Sequence, residues 1–362
     1  MKKPMTSRER VVTAMNRAVP DRVPINYIGH DVNPGITARL CRHFGLAADD
    51  RAGLVECLQI DFRGVGALYT GRRLHAELEG FVVNPEWGGR QRWIENSSGG
   101  YWDWCNFPLA NATDEEIAAY PIPSPDDYDY SIIPAQCALH PDRALFLGNP
   151  GLGCNLNTLG IFCGVERAMM EIIDPDSPVQ TLLARRADWT VAYIERCLEA
   201  AKGRIDLLWL GEDLGTQRGP LISLDTYRRF LKPHHKRYSD LAKAYGIPVM
   251  LHSCGSSSWA YDDLIEIGIT VVDTLQPEAE GMAPETLKSR WGDRLCFHGC
   301  ISTAGLLATG TVEDTRRVVR ETLDIMMPGG GYCLAPTHSL QDNTPTENAL
   351  AMYETALEYG RY

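Results

Sequence analysis

From residue 144 onward the chain repeats one unit: a short apolar run, a polar or glycine-rich turn, then a segment with helical spacing. The runs lie at 144–149, 205–210, 247–251, 269–276, 295–300 and 331–338. Apolar runs of this length bounded by polar and glycine residues fit strands buried on both faces, as in parallel sheets. Helical patterns follow at 164–173, 179–201, 224–245, 259–267, 284–290 and 312–326, with a last one at about 346–359. Strand then helix with connections this short implies right-handed crossovers in a parallel sheet. Earlier runs at 23–29 and 60–65 bring the strands to eight, and a closed (β/α)8 TIM barrel, an α/β fold with N-terminal elaborations, is the economical solution.

At 362 residues the chain is long for one domain, but such barrels reach this size when their loops are elaborated. No composition break divides it, so the expectation is a single barrel domain over 1–362. The elaborations are a helix over 7–19 capped by Thr6 or Ser7, two helical pieces over 33–58, and a hairpin-rich insertion around 80–110. That insertion sets Trp87, Trp93, Tyr101, Trp102, Trp104 and Phe107 among glycines. They read as core packing or as a lid over a flat substrate.

A barrel gathers the residues at its strand C-termini on one face, where such folds place their sites. Here they are Tyr27, Asp61, Asn149, Glu212, Asp213, His252, Cys254, Gln276, His298, Cys300 and His338, a set rich in metal ligands and acid-base groups. In His252-Ser253-Cys254-Gly255 the imidazole and the thiol are one residue apart, so an extended backbone turns both to the same side. Zn²⁺ accepts imidazole nitrogen and thiolate sulfur together. The other reading is a buried thiol beside a hydrogen-bonded histidine. For a third zinc ligand the choice is His338, beyond the last strand, with Cys300 competing and Cys333 read as packed in mid-strand. A tetrahedral ion with one open position would act as a Lewis acid. Glu212 and Asp213 read as a proton donor or fourth ligand, or else as carboxylates paired with Arg218. His298 joins them as a catalytic candidate. Tyr27, Asp61, Asn149 and Gln276 are candidates for substrate contact, with a salt bridge to Arg63 as the other reading of Asp61.

A formal charge of −12 argues against a nucleic-acid surface, which needs a basic stripe, and favours a small-molecule substrate. No apolar run approaches the ~20 residues of a bilayer span and the start is polar, so no membrane association and a cytoplasmic location are expected. The 11 cysteines lack the regular spacing of a disulfide scaffold and read as thiols.

The motifs Thr6-Ser7-Arg8-Glu9-Arg10, Pro20-Asp21-Arg22-Val23-Pro24, Gly211-Glu212-Asp213-Leu214-Gly215, His252-Ser253-Cys254-Gly255, Phe297-His298-Gly299-Cys300 and Leu334-Ala335-Pro336-Thr337-His338 resemble the uroporphyrinogen decarboxylase superfamily over nearly the full length. The resemblance implies a (β/α)8 barrel with its site on the C-terminal face. One branch decarboxylates uroporphyrinogen without a cofactor and carries an Arg-Gln-Ala-Gly-Arg segment after its first strand. Here that region is Asn26-Tyr27-Ile28-Gly29-His30-Asp31-Val32-Asn33-Pro34, with no arginine to hold carboxylates. The other branch, which this chain is closer to, comprises cobamide-dependent methyltransferases that bind zinc through His-x-Cys and a later cysteine. His252 and Cys254 match the first part, and His338 stands where the later cysteine aligns, which suits an O-demethylase as well as a thiol acceptor. The resemblance thus implies methyl transfer between a small methylated substrate, or a thiol or folate acceptor, and a corrinoid (cobalamin). No Asp-x-His-x-x-Gly segment is present and the length leaves no room for a corrinoid domain, so a separate corrinoid protein is the expected partner. A homodimer is compatible with this reading. A cofactor-independent decarboxylase of another carboxylic acid, using Asp61 or Asp213, and a non-catalytic ligand-binding barrel are the alternatives.

Overall fold

In the computed structural model, which describes residues 4–28, 33–97 and 99–362, seven strands pair in parallel and in chain order. They are β1 (Phe62–Val65), β2 (Ala144–Gly148), β3 (Leu207–Gly211), β4 (Val249–Ser253), β5 (Val271–Thr274), β6 (Cys296–Ile301) and β7 (Tyr332–Pro336). The eighth position is filled by the segment around Ile25. Leu334 N donates to Pro24 O at 2.8 Å, Asn26 N to Leu334 O at 3.0 Å, and Asp61 N to Ile25 O at 3.0 Å, which joins β7 to β1 and closes the ring. Pro24 has no N–H to add to a ladder, which keeps this stave short. The run expected over 23–29 ends outside the described residues, as do His30 and Asp31.

Period-two alternation decides which residues face inward. Leu208, Leu210, Val249, Leu251, Val272 and Phe297 face the surrounding helices in one large buried cluster. Phe62, Trp209, Met250, Val271, Cys296 and Cys333 form a second cluster, the barrel interior. Val11, Ala14 and Met15 belong to that second cluster, so the helix Ser7–Met15 plugs the N-terminal end of the barrel. Its start is held by a capping box between Thr6 and Glu9, and it stops at Met15 rather than at 19.

The outer helices show why the pattern was legible. In Val312–Met326 the buried residues are Thr315, Val319, Thr322, Leu323 and Met326, one face of a helix, with Thr311 and Asp314 forming the capping box. Two helices depart from the expected limits. The helix expected from 164 is preceded by another, Leu156–Cys163, in a stretch where the spacing predicts no helix. The helix expected over 224–245 passes through a π-helical turn at Tyr227–Leu231, just before Pro233, which cannot supply an i→i−4 N–H.

Between β1 and β2 the chain adds a three-stranded antiparallel sheet, Val82–Val83, Arg90–Asn96 and Gly99–Trp104, in which Trp93 faces Trp102. Trp87 and Trp104 of this region wall the cavity at the barrel mouth. No helix among the described residues is long and apolar enough to cross a membrane, and all 11 cysteines are free thiols.

Candidate active site

The strand register sets three ionisable side chains in a row inside the barrel, because His252 pairs with Asp273 and Asp273 with His298 across β4, β5 and β6. His252 Nδ1 lies 2.7 Å from Asp273 Oδ2, and His298 Nδ1 lies 2.6 Å from Asp273 Oδ1. Asn26 fixes the tautomer of His298. Its Oδ1 accepts from Tyr27 N, so its Nδ2 donates to His298 Nε2 at 3.1 Å, and the proton of His298 sits on Nδ1, toward Asp273. By the same carboxylate His252 is held with Nδ1–H engaged and Nε2 facing outward. Burial alone would raise the Asp273 pKa, but the hydrogen bonds from the two imidazoles and the positive charge beside it outweigh burial and hold it at about 2. Burial likewise disfavours a charged His252, yet hydrogen bonds to Asp273 and Cys254 raise its pKa well above the usual value. Without a metal the pair therefore holds a proton that a divalent cation can replace.

His252 Nε2 is 3.4 Å from Cys254 Sγ. Two zinc bonds at tetrahedral angles would put such a nitrogen and sulfur about 3.6 Å apart. Asp213 completes the compact donor group, the ligand atoms of Asp213, His252 and Cys254 all lying within 4.8 Å of one another. Backbone and side-chain bonds hold Asp213 there: its Oδ1 accepts from Cys254 N at 2.8 Å and its Oδ2 from Asn157 Nδ2 at 2.6 Å. The loops carrying these groups are pressed backbone to backbone. Gly255 has φ +69°, and a Cβ there would fall 2.5 Å from Gly215 O. Imidazole, thiolate and carboxylate together suit a borderline-soft ion, and Asp273 behind His252 is the outer partner that metal-bound histidines usually have.

His338, two residues past β7, lines the same cavity but stands outside that compact group, its Nδ1 3.4 Å from Gln341 Nε2. Its ring is exposed into the cavity. Desolvation by the concave walls, then the charge of His252, lowers its pKa, so it is a neutral imidazole near pH 7. Cys300 and Cys333, the other thiols considered, are buried in the two apolar clusters, away from the cavity.

The remaining candidates divide between the cavity and elsewhere. Asn149 lines the cavity, with its Oδ1 accepting from Gly151 N at 2.7 Å. Gln276 accepts from Gly255 N and so braces the Cys254 loop. Tyr27 is buried against Thr37, 3.1 Å from its hydroxyl, and does not reach the cavity. His298 is fully buried between the Phe62 and Trp209 rings and acts on Asp273. Glu212 is fully buried, and its oxygens accept from Asn155 N at 2.8 Å and Leu156 N at 2.9 Å. It is thus the distant cap of the helix Leu156–Cys163 and is not paired with Arg218. Asp61 corrects the reading outright. It precedes β1 at the N-terminal end, where it accepts from Arg10 at 2.7 Å, Arg22 at 2.9 Å and Ile25 N at 2.9 Å, while Arg63 pairs with Glu56. Asp273 was missed, although its place one strand from His252 in the same layer was a usable signal.

The mouth opens into a cavity of about 860 Å³, large enough for a drug-sized organic molecule. Asp213, His252, Cys254 and His338 form one end, and Trp87, Trp104, Trp189 and Tyr193 the other.

Residues 156–359 match the uroporphyrinogen decarboxylase (URO-D) family. A methylcobamide:CoM methyltransferase of Methanosarcina acetivorans is 23% identical over 181 residues, 50% of this chain and 49% of that protein. A methylated-thiol–coenzyme M methyltransferase of Methanosarcina mazei is 28% identical over 214 residues, 58% of this chain and 52% of that protein. The chain thus spans about half the length of these curated relatives. Among solved structures, a methyltransferase from Methanosarcina mazei superposes with a TM-score of 0.68 over 98% of this chain and 99% of that one, at 18% identity, a likeness of fold.

Proposed function

The chain belongs to the uroporphyrinogen decarboxylase family, on the side of its cobamide-dependent methyltransferases, and from that premise we propose that it moves a methyl group between a small substrate and a corrinoid carried by a separate protein, with zinc at the barrel mouth. The observation that carries this reading is the 3.4 Å approach of His252 Nε2 to Cys254 Sγ at the end of a large open cavity, with Asp273 behind the imidazole. His252 and Cys254 would hold the ion, with Asp213 within reach and His338 the further donor facing the same space. Bound there, zinc would supply Lewis acidity, lowering the pKa of a thiol or polarising an ether oxygen.

The protein's own groups do the rest. Asp273 keeps Nδ1 of His252 protonated and the ring fixed, so Nε2 cannot swing away from Cys254. Asp213 pins the Cys254 backbone, and Asn157 pins Asp213. With Asp213 rather than His338 on the ion, His338, exposed to the cavity, is free to accept a proton from a thiol acceptor. The relatives named for coenzyme M support a thiol acceptor as one partner in the exchange. A corrinoid protein would dock over the C-terminal face, the only end of the barrel with an open cavity lined by these groups among the described residues.

Elemental analysis of the purified protein beside His252→Ala and Cys254→Ser tests the reading, together with methyl transfer from methylcobalamin to a thiol or from a methylated substrate to a corrinoid protein. About one zinc per chain, lost in both variants together with transfer, is the expected outcome. Zinc-free protein that still transfers methyl groups would end it.

A further inference from the structure

Three arginines of the described chain are buried: Arg10, Arg63 and Arg186. Arg10 is paired with Asp21 and Asp61, and Arg63 with Glu56. Arg186 has no carboxylate partner among the described residues. It rises from the helix Pro178–Ala201, is 8% exposed and lines the cavity. The hydrogen bonds it makes within the chain both come from Nη2, to Thr158 Oγ1 at 3.2 Å and Cys154 O at 3.5 Å, and its Nε is buried without a partner. Glu212 acts on it only from a distance, both of its oxygens being engaged by backbone N–H groups. A buried guanidinium without a counter-charge is costly to keep, and in a cleft it marks a place for an anion.

The surroundings describe the rest of that ligand. The guanidinium carbon lies 4.6 Å from the Trp87 ring and 5.5 Å from the Phe162 ring, contacts that fix the fork without neutralising it. Trp87 meets Trp189 edge-on at 4.7 Å, and Trp189 stacks on Tyr193 at 5.0 Å, so the wall beside Arg186 is a set of flat apolar faces. Glu86, the acid on this wall, is engaged by the Tyr128 hydroxyl, and burial raises its pKa. The anchor is tied to the other end of the cavity by adjacent residues of one helix: Thr158 bonds Arg186 and Asn157 bonds Asp213.

Resting on the methyl-transfer reading, we infer that Arg186 is a specificity residue that takes the carboxylate of an aromatic methyl ether, the ring lying along the Trp87 and Trp189 wall and the methoxy group reaching toward His252 and Cys254. A planar fork pairs with a carboxylate through two parallel hydrogen bonds. The transfer breaks the O–CH3 bond; the methyl goes to the reduced corrinoid of the partner, which supplies the bonding electron pair, and the phenolate oxygen takes a proton.

Tryptophan fluorescence titration separates the terms, since Trp87, Trp104 and Trp189 line the cavity. The probes are 4-methoxybenzoate, its neutral isostere 4-methoxybenzamide, and coenzyme M, each added to metal-free and to zinc-loaded protein. The acid should bind at least about tenfold more tightly than the amide, the difference expected for a charged hydrogen-bonded pair. Arg186→Gln should bring acid and amide to the same affinity, and Arg186→Lys should keep part of the preference. The comparison of acid with amide needs no variant, so a folding defect at position 186 leaves it intact. Equal binding of acid and amide to the unaltered protein, or a preference that survives Arg186→Gln, overturns the anchor. Binding of coenzyme M in place of the aromatic acid, abolished by Arg186→Gln, overturns the aromatic class. Zinc content is measured in the same samples: a carboxylate preference in protein that never binds zinc keeps the anchor and ends the methyl-transfer reading, and zinc without the preference does the reverse.

Discussion

At the N-terminal end of the barrel, Arg10 and Arg22 close on the carboxylate of Asp61, and Ile25 N fills its remaining lone pair. At the C-terminal end, Asp273 is as deeply buried and also has two cationic-type partners, but each of those histidines has a second nitrogen, and that of His252 points toward the cavity. The arginines differ in the same way. Burial disfavours a charged Arg10, and Asp21 and Asp61 more than restore its pKa; burial disfavours a charged Arg186 too, and its pKa is left lowered. The floor is a saturated network sealed by the helix Ser7–Met15, while the mouth keeps donors and acceptors with capacity to spare. Saturation is what separates a structural ionic cluster from one that can take a ligand.

The comparison is broken most directly at the floor. Asp61→Asn keeps the shape but replaces one acceptor by a donor facing two guanidinium groups, and removing one member of a buried ionic network costs roughly 3–5 kcal/mol. Urea unfolding should show that loss, with the zinc content of the folded fraction unchanged. A variant that stays within about 1 kcal/mol of the parent would show that the floor is not the saturated network described. At the mouth the corresponding term appears with pH. The folded pKa of Asp273, about 2, lies below its unfolded value, so its stabilisation is fully present above roughly pH 4 and lost as pH falls through about 2. A shift of that size corresponds to about 2–3 kcal/mol. Metal-free protein should lose that much between those limits, and Asp273→Asn should flatten this part of the curve. An unchanged acid limb in Asp273→Asn would place the acid-labile group elsewhere.

What could be read in the sequence follows the same division between local and distant causes. The barrel was legible because period-two strands and helical faces are written in neighbouring residues, and the pairing of His252 with Cys254 was legible because the two lie one residue apart at the end of one strand. Asp61 is expected at the mouth as one of the ionisable strand residues, yet it opens its run rather than closing it, and in a parallel barrel the first residues of a strand lie at the bottom. The assignment of Glu212 failed for another reason: its task is to cap Leu156–Cys163, a helix whose own Asn155 makes no side-chain cap, and nothing near residue 212 announces that. Arg186 reads as an ordinary polar residue of a long helix. Trp87, nearly a hundred positions away, is what buries it. A place just past the last strand points to His338 as the third donor, while the compact group in the fold contains Asp213, held by Asn157 from the preceding unit.

Asn157 therefore offers the finest test of the difference between the ends. Asn157→Ala removes two hydrogen bonds to Asp213, the 2.6 Å bond from Nδ2 to its carboxylate and the 3.1 Å bond that Oδ1 accepts from its backbone N–H, worth together about 1–2 kcal/mol in stability. Its larger meaning lies in metal affinity: Asp213 keeps its bond from Cys254 N but gains freedom of rotation, so a competitive chelator titration should show weakening by less than about tenfold, the lower limit usual for loss of an outer-sphere partner. If Asp213 takes no part in holding the ion, the affinity will not move while the stability falls by the same amount. In that case the donors at the mouth reduce to His252, Cys254 and His338, and Asp213 belongs with Asp61 among the carboxylates whose work is to hold the fold.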